Sequence, residues 1–363
     1  MNKFEVSLAR ESDDLQIRRL LHDNPVPGKI SLIYQKEPSY FQASSIANRQ
    51  TISIVIKNNN KIVAVLTIGI RDVYLNGKIQ RVGYLNNLRL DKKYQGQKIL
   101  KVGFDFLKKM HPEMDVPFYY STIIADNKKV LNILSQSRER GLQFVDYGNY
   151  YTKAIILNQK KKTINKSYHV IRGSEDNLAE IVNFLNQEGK KKDFFYNYKI
   201  EDFKNNFLRD FDIKDFFVAL EGDKVIAVMG LWDQNNFKQN VVTSYNGLFK
   251  LYKLYNFVSP VFSLPRLPDV GQKLNFAYLS FVVIRDNNPD IFAGLLKAVY
   301  NNAINKDYLY LVLGFHEKDK LLSVLDNFSC ITYKSKLFMN YWQTPDILKD
   351  FELGVPYIEL ATL

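Results

Sequence analysis

A chain of 363 residues is longer than one hydrophobic core usually serves, and 46% apolar residues are enough to pack two, which excludes a long disordered protein. Fifty Lys and Arg against 38 Asp and Glu leave a net charge of +12, suited to an anionic partner such as a phosphate-bearing cofactor. The single cysteine, Cys330, excludes an intrachain disulfide framework and a Cys-rich metal site.

No metal is expected, because His22, His111, His169 and His316 lie far apart without ligand spacing. The opening residues, MNKFEVSLARESDD, are charged rather than apolar. No stretch approaches the ~18 apolar residues of a membrane span, so a cytoplasmic protein without a membrane partner is expected.

In chain order the sequence predicts a short strand at residues 4–9 and a helix at 13–22. Residues 24–45, with Pro25, Pro27, Gly28 and Pro38, have no regular pattern. β-branched runs at 52–57 and 61–70 around Asn58, Asn59 and Asn60 read as a hairpin. A further strand begins at Gly83-Tyr84-Leu85 and ends near Asp91. A basic loop follows, then an amphipathic helix at 99–110 with Leu100, Phe104 and Leu107 on one face. An apolar strand (118–125), a helix (128–137) and a Tyr-rich strand complete the series.

The same order then begins again. A strand at 168–173 leads to a helix at 175–187, where Glu175, Asp176 and Asn177 put acids and a capping side chain at the helix start. A hairpin (216–220 and 224–231) turns at Glu221-Gly222-Asp223, and a strand opens with Ala277-Tyr278-Leu279. A helix (291–304), a strand (308–315), a helix (318–327) and a Tyr-rich strand follow. Lys61-Ile62-Val63-Ala64-Val65 even matches Lys224-Val225-Ile226-Ala227-Val228.

Matches repeated in one order argue for duplication, with domains expected at 1–157 and 168–363 joined by the polar linker 158–167. Residues 24–45 and 235–273 have no counterpart in the other half; they are expected to shape a binding site or to pack between the domains. The basic runs 160–162 and 190–192 are expected to be solvated, which leaves nucleic-acid binding unsupported.

The informative segment is 84–107, YLNNLRLDKKYQGQKILKVGFDFL. A helix N-terminus offers free N–H groups and partial positive charge to a phosphate. Gly96 permits close backbone approach, and Lys92, Lys93, Lys98 and Lys101 add charge. The order of elements, together with Tyr94-Gln95-Gly96-Gln97-Lys98-Ile99-Leu100, resembles the GCN5-related N-acetyltransferase (GNAT) family, whose signature is a central strand followed by Arg/Gln-x-x-Gly-x-Gly/Ala. The stretch keeps the Tyr, the Gln, the first Gly and the Ile. It departs at Lys98 and Leu100, where the family has Gly and then Gly or Ala.

The resemblance implies an α/β fold with a mixed sheet, arranged as two tandem GNAT-like acyl-CoA N-acyltransferase domains, the second degenerate. It implies acetyl-CoA as acyl donor, its pyrophosphate held by Gln95, Gly96, Gln97, Lys98, Ile99 and Leu100. Leu88, Arg89 and Leu90 would offer strand backbone to the pantetheine arm, with support from Asn127 of Ala125-Asp126-Asn127. The second loop, 285–290, has no glycine and carries Asp286 and Asp290 where phosphates would sit, so that domain is expected not to bind.

Acyl transfer to an amine needs a base, a donor that polarises the thioester oxygen and a proton for the leaving thiolate. Asn86 and Asn87 stand where the family often has an acid, and Leu134 stands at the family's Tyr. The remaining candidates are Ser135, Tyr147, Tyr150, Tyr151 and Glu37, so the catalytic residues stay open. Three functions fit: acetyl transfer to a primary amine by direct attack, Fem-like aminoacyl-tRNA-dependent peptidyl transfer, or non-catalytic acyl-CoA binding. The expected partners are acyl-CoA and an amine acceptor. Oligomeric state is open, because a tandem pair can supply internally the contact that single-domain relatives make by dimerising.

Overall fold

The computed structural model describes residues 4–135, 141–162, 167–259, 266–349, 351–352 and 354–363. The first half contains β1 (Glu5–Leu8), α1 (Asp14–Asp23), β2 (Ile30–Gln35), α2 (Tyr40–Ser44), β3 (Gln50–Asn58), β4 (Lys61–Leu75) and β5 (Lys78–Leu90). It continues with α3 (Ile99–Met110), β6 (Tyr119–Ile124), α4 (Lys128–Ser135) and β7 (Gln143–Ile156). The second half contains β8 (His169–Arg172), α5 (Leu178–Gly189), β9 (Phe216–Glu221), β10 (Lys224–Trp232) and β11 (Gln239–Tyr245). After these come α6 (Tyr252–Val258), β12 (Phe276–Ile284), α7 (Pro289–Ala303), β13 (Tyr310–His316) and β14 (Cys330–Tyr341).

Turn chemistry sets the hairpins. Between β3 and β4, Asn59 and Asn60 both take positive φ (48° and 63°), as a two-residue turn with the twist of its strands requires. Asn76-Gly77 does the same between β4 and β5 (47° and 73°), so β4 runs on to Leu75 and β5 starts at Lys78, well before Gly83. Helix α5 begins at Leu178 rather than at residue 175, because the Asn177 side chain accepts the Ser174 N–H (2.8 Å) and holds a turn ahead of the helix. The helix expected at 318–327 is a run of 3-10 turns, Lys320–Asn327, opened by the Asp319 side chain on the Leu321 N–H (3.0 Å).

Twelve strands form one sheet in the order β1-β3-β4-β5-β6-β14-β7-β13-β12-β10-β9-β8. Both halves obey one rule: successive strands are antiparallel until the fifth, which runs parallel to the fourth (β6 on β5, β13 on β12). At the centre the final strands cross over. β14 lies between β6 and β7, and β7 lies between β14 and β13, so each half closes on the other's last strand.

The two unrepeated segments meet. β2 pairs antiparallel with β11, from Gln35↔Gln239 to Ile30↔Tyr245, as a separate two-stranded ribbon. Its apolar residues Ile30, Val242 and Tyr245 pack on Ala154 and Tyr310, over the junction of the halves. Gln239 fastens its end, donating to the Glu37 carbonyl (3.1 Å) and accepting the Glu37 N–H (3.2 Å).

One expected solvated run differs. Lys192 is buried and paired with Asp319 (2.8 Å), because the turn after α5 faces the second half's core. In the other run, Lys161 lies over the rings of Tyr300 and Phe328. Residues 163–166 of the expected linker lie outside the described residues.

Candidate active site

The parallel pairing of β5 with β6 is brief. It covers Gly83↔Tyr119 and Tyr84↔Tyr120 and then stops, so the strands part toward their C-terminal ends. Gly83 permits the close start, since a Cβ there would enter the Tyr119 ring. β5 stays on β4 but carries a bulge: Asn86 faces Thr67 and Arg89 faces Val65, with Asn87 (φ 52°) and Leu88 between them. Among the described residues no side chain bonds to the N–H of Asn87 or Leu88. The wedge therefore leaves strand backbone without a side-chain partner at a kinked point.

The loop at the head of the wedge is fixed from behind. The Asp91 carboxylate accepts the Lys93 N–H (3.0 Å) and Lys61 Nζ (3.3 Å). Burial opposes its charge, yet these donors hold its pKa below the usual carboxylate value. Asn24 Oδ1 accepts the Lys92 N–H (3.0 Å). Beyond this anchor Gly96 (φ 81°) and Lys98 (φ 57°) are left-handed, and Lys98 is the residue that opens α3.

The first-turn N–H groups of Ile99, Leu100 and Lys101 have no partner inside the helix, and Lys92, Lys93, Lys98 and Lys101 are exposed around them. Free N–H groups ringed by lysines at a helix N-terminus have the geometry that suits an anion. Lys98 thus holds a left-handed backbone that favours glycine, at a cost of about 1 kcal/mol. Leu100 joins Leu66, Leu88 and Phe104 in lining an apolar crevice of about 20 Å³ beneath α3.

The remaining expected contacts flank the wedge. Leu90 packs with Ile99 and Tyr94. Asn127, just past the end of β6, accepts the Val130 N–H (3.3 Å) and caps α4. Of the catalytic candidates, Tyr150 is 1% exposed and its hydroxyl donates to the Ile358 carbonyl (2.5 Å); burial pushes its pKa well up. Tyr147 accepts His316 Nε2 at its carbonyl (2.8 Å), Tyr151 lies under Lys334, and Glu37 pairs with Arg18. The side chain of Ser135 lies outside the described residues.

Alternation along β5 points Arg89 to the other face from Leu88, toward Tyr34 and Tyr40. Sequence reasoning missed the cations that join it there. Lys36 is 7% exposed, and its Nζ donates to Ser44 Oγ (2.9 Å) and lies over the Tyr40 ring (5.0 Å). Burial pulls its pKa well down, and the like charges of Lys238 and Arg89 add to this. Burial also brings Lys238 down to about 7. A lone lysine in an irregular segment carries no pattern that would have marked it.

The second half repeats the bulge at Phe281 (φ 54°) and Val282, and β12 parts from β13 after Tyr278↔Val312. Here the space is filled from within. The Phe281 N–H donates to Glu359 Oε2 (2.8 Å), and the Val282 N–H donates to the Tyr357 hydroxyl (3.1 Å), itself bonded to Glu359 (2.6 Å). In the loop, Asn288 Oδ1 takes the N–H groups of Asp290 (2.8 Å) and Ile291 (3.3 Å).

No protein-family model and no curated protein matches the sequence. Solved structures do match. One is a GCN5-related glucosamine N-acetyltransferase region of a fungal multi-domain GH3 β-N-acetylglucosaminidase (TM-score 0.64, 15% identity over 93% of this chain), of whose length this chain spans 38%. Another is Saccharomyces cerevisiae N-myristoyltransferase with bound myristoyl-CoA (TM-score 0.61, 12% identity, 99% of this chain and 90% of that one). A third is a GCN5-related N-acetyltransferase from Sphaerobacter thermophilus (TM-score 0.57, 9% identity, 100% and 99%). The chain has the GNAT fold, an acyl-CoA N-acyltransferase fold, across nearly its whole length.

Proposed function

We propose that the first half binds acetyl-CoA and directs transfer of its acetyl group to a primary amine, while the second half binds no cofactor. The observation that carries this reading is the open wedge after Tyr84, with the bulge at Asn87 and Leu88 leading into the nest at Gly96 to Lys101. The residues fit the group: a Cβ at Gly96 would meet nothing within 4 Å, which leaves room for a pyrophosphate at the backbone. The N–H groups of the nest would hold phosphate, the 88–90 backbone the pantetheine arm, and the Leu88 N–H would polarise the thioester oxygen. The thioester supplies the activated acyl group.

A short acyl group suits the site. The crevice beside Leu88 is closed to about 20 Å³, room for one methyl-sized group. A second reading, acyl-CoA binding without turnover, is favoured by Asn86 and Asn87 at the acid position and by the engagement of Tyr150 with Ile358.

Gly96→Asp tests the cofactor site. Open space at Gly96 spares the variant a clash and leaves the left-handed strain of about 1 kcal/mol, while a carboxylate facing the phosphates should weaken acetyl-CoA about a hundredfold, near 3 kcal/mol. Unchanged affinity would remove the assignment. Binding by the wild type without turnover on any amine would favour the second reading.

A further inference from the structure

The face of β5 that carries Arg89 gathers four cations: Arg89, Lys36, Lys238 and Arg71. Two are served by the chain itself. Lys238 Nζ donates to the main-chain oxygens of Ala361 (2.9 Å) and Leu363 (3.3 Å). Arg71 donates to the Thr362 carbonyl (2.8 Å), Asn48 Oδ1 (2.7 Å) and the Tyr120 hydroxyl (2.7 Å).

Lys36 and Arg89 are not served in this way. Lys36 has one neutral hydroxyl and a ring, and the buried Nε of Arg89 has no hydrogen-bond partner. Among the described residues, the side-chain carboxylates of Asp14, Glu37 and Glu359 on the surrounding elements are committed elsewhere. Asp14 and Glu37 hold Arg18, and Glu359 holds Phe281, Tyr357 and Ala361.

Like charges withdrawn from water without a counter-charge are costly. The arrangement is complete only with an anion. The cluster lies near the surface, since Tyr34, beside Arg89, is 39% exposed and Arg89 is half-buried. The walls come from the two segments that have no counterpart in the other half: Lys36 just past β2 and Lys238 just before β11.

We propose that Arg89 and Lys36 bind an acidic group, a carboxylate or a phosphate, on the amine acceptor, which is therefore an anionic amine seated one residue along β5 from Leu88. This rests on the acyltransferase reading of the first half. It assigns the β2–β11 ribbon the work of choosing the acceptor, with the excess positive charge of the chain drawing that acceptor in.

Two measurements test it. In thermal melts, inorganic phosphate against chloride at equal ionic strength should raise the wild-type midpoint by about 2–4 °C. That response should shrink in Lys36→Met and Arg89→Met to the part contributed by the helix N-terminus at residues 96–101, which Gly96→Asp removes separately. Lys36→Met should also melt higher than wild type without phosphate, the reverse of what loss of a merely structural residue gives. In transfer assays with acetyl-CoA, glycine is compared with glycinamide, and 2-aminoethyl phosphate with ethanolamine. The charged member of a pair should be favoured about a hundredfold in kcat/KM, and the better pair tells carboxylate from phosphate.

Lys36→Met should bring that preference toward unity while acetyl-CoA affinity stays within about twofold, as its site lies on the other face. Equal phosphate response in wild type and both variants, or equal use of charged and neutral amines, would overturn the proposal. Absence of acetyl-CoA binding would instead sink the acyltransferase reading, and the phosphate response would still decide the anion site.

Discussion

The two halves carry the same bulge on the same strand and put it to opposite uses. At Asn87 and Leu88 the strands part and no side chain takes the N–H groups. At Phe281 and Val282 the corresponding groups are bonded to Glu359 and Tyr357. The backbone defect is thus present in both halves, without a side-chain partner in one and as an anchor in the other. In the second copy an internal hydrogen-bond network satisfies what a ligand would otherwise satisfy, and rigidity replaces access.

That contrast can be broken from the plugged side first. Glu359→Ala leaves the Phe281 N–H, the Tyr357 hydroxyl and the Ala361 N–H without their acceptor, and should cost about 3 kcal/mol in urea unfolding. Glu359→Gln keeps an acceptor and should cost roughly 1 kcal/mol.

Both Glu359 variants also lose a pH dependence that the wild type has. Burial raises the folded-state pKa of Glu359 from its ordinary 4.5 despite the donors around it. Between that value and the raised one the folded protein holds more proton than the unfolded chain. Stability from this group is therefore fully present below the window and falls as pH rises through it. Glu359→Gln should flatten that fall, and an unchanged profile would show that Glu359 does not titrate there.

Gly83→Ala sharpens the comparison next. The second half has Ala277 at this position, whereas a Cβ on Gly83 would enter the Tyr119 ring, so a loss of about 2 kcal/mol is expected. The smallest expected effect is at Lys98. Lys98→Gly relieves a left-handed lysine and should gain roughly 0.5–1 kcal/mol, offset in part by glycine's greater freedom when unfolded, with acetyl-CoA affinity unchanged or slightly tighter.

Much of this was legible in the sequence because local chemistry decided it. Asn59 and Asn60 fix one hairpin, the Ile17, Leu20 and Leu21 stripe fixes α1, and the basic loop before Ile99 marks the start of α3. Asn76-Gly77 carries the same hairpin signal, and it moves the start of β5 from Gly83 back to Lys78.

Other features are set by contacts distant in sequence. The β2–β11 register joins residues about two hundred positions apart that lack a shared period, and the crossing of β7 with β14 involves two Tyr-rich strands of similar pattern. Lys36 carries no pattern in the sequence, and only the fold brings it near Arg89. The left-handed φ of Lys98 is set by the loop around it, against the preference of lysine itself.

The most direct test of the account is calorimetric titration of the whole chain with acetyl-CoA, read for stoichiometry. One site per chain, lost in Gly96→Asp and kept in Glu359→Gln, is the predicted result. Two sites per chain, or a single site that survives Gly96→Asp, would contradict the assignment of an open first half and a closed second.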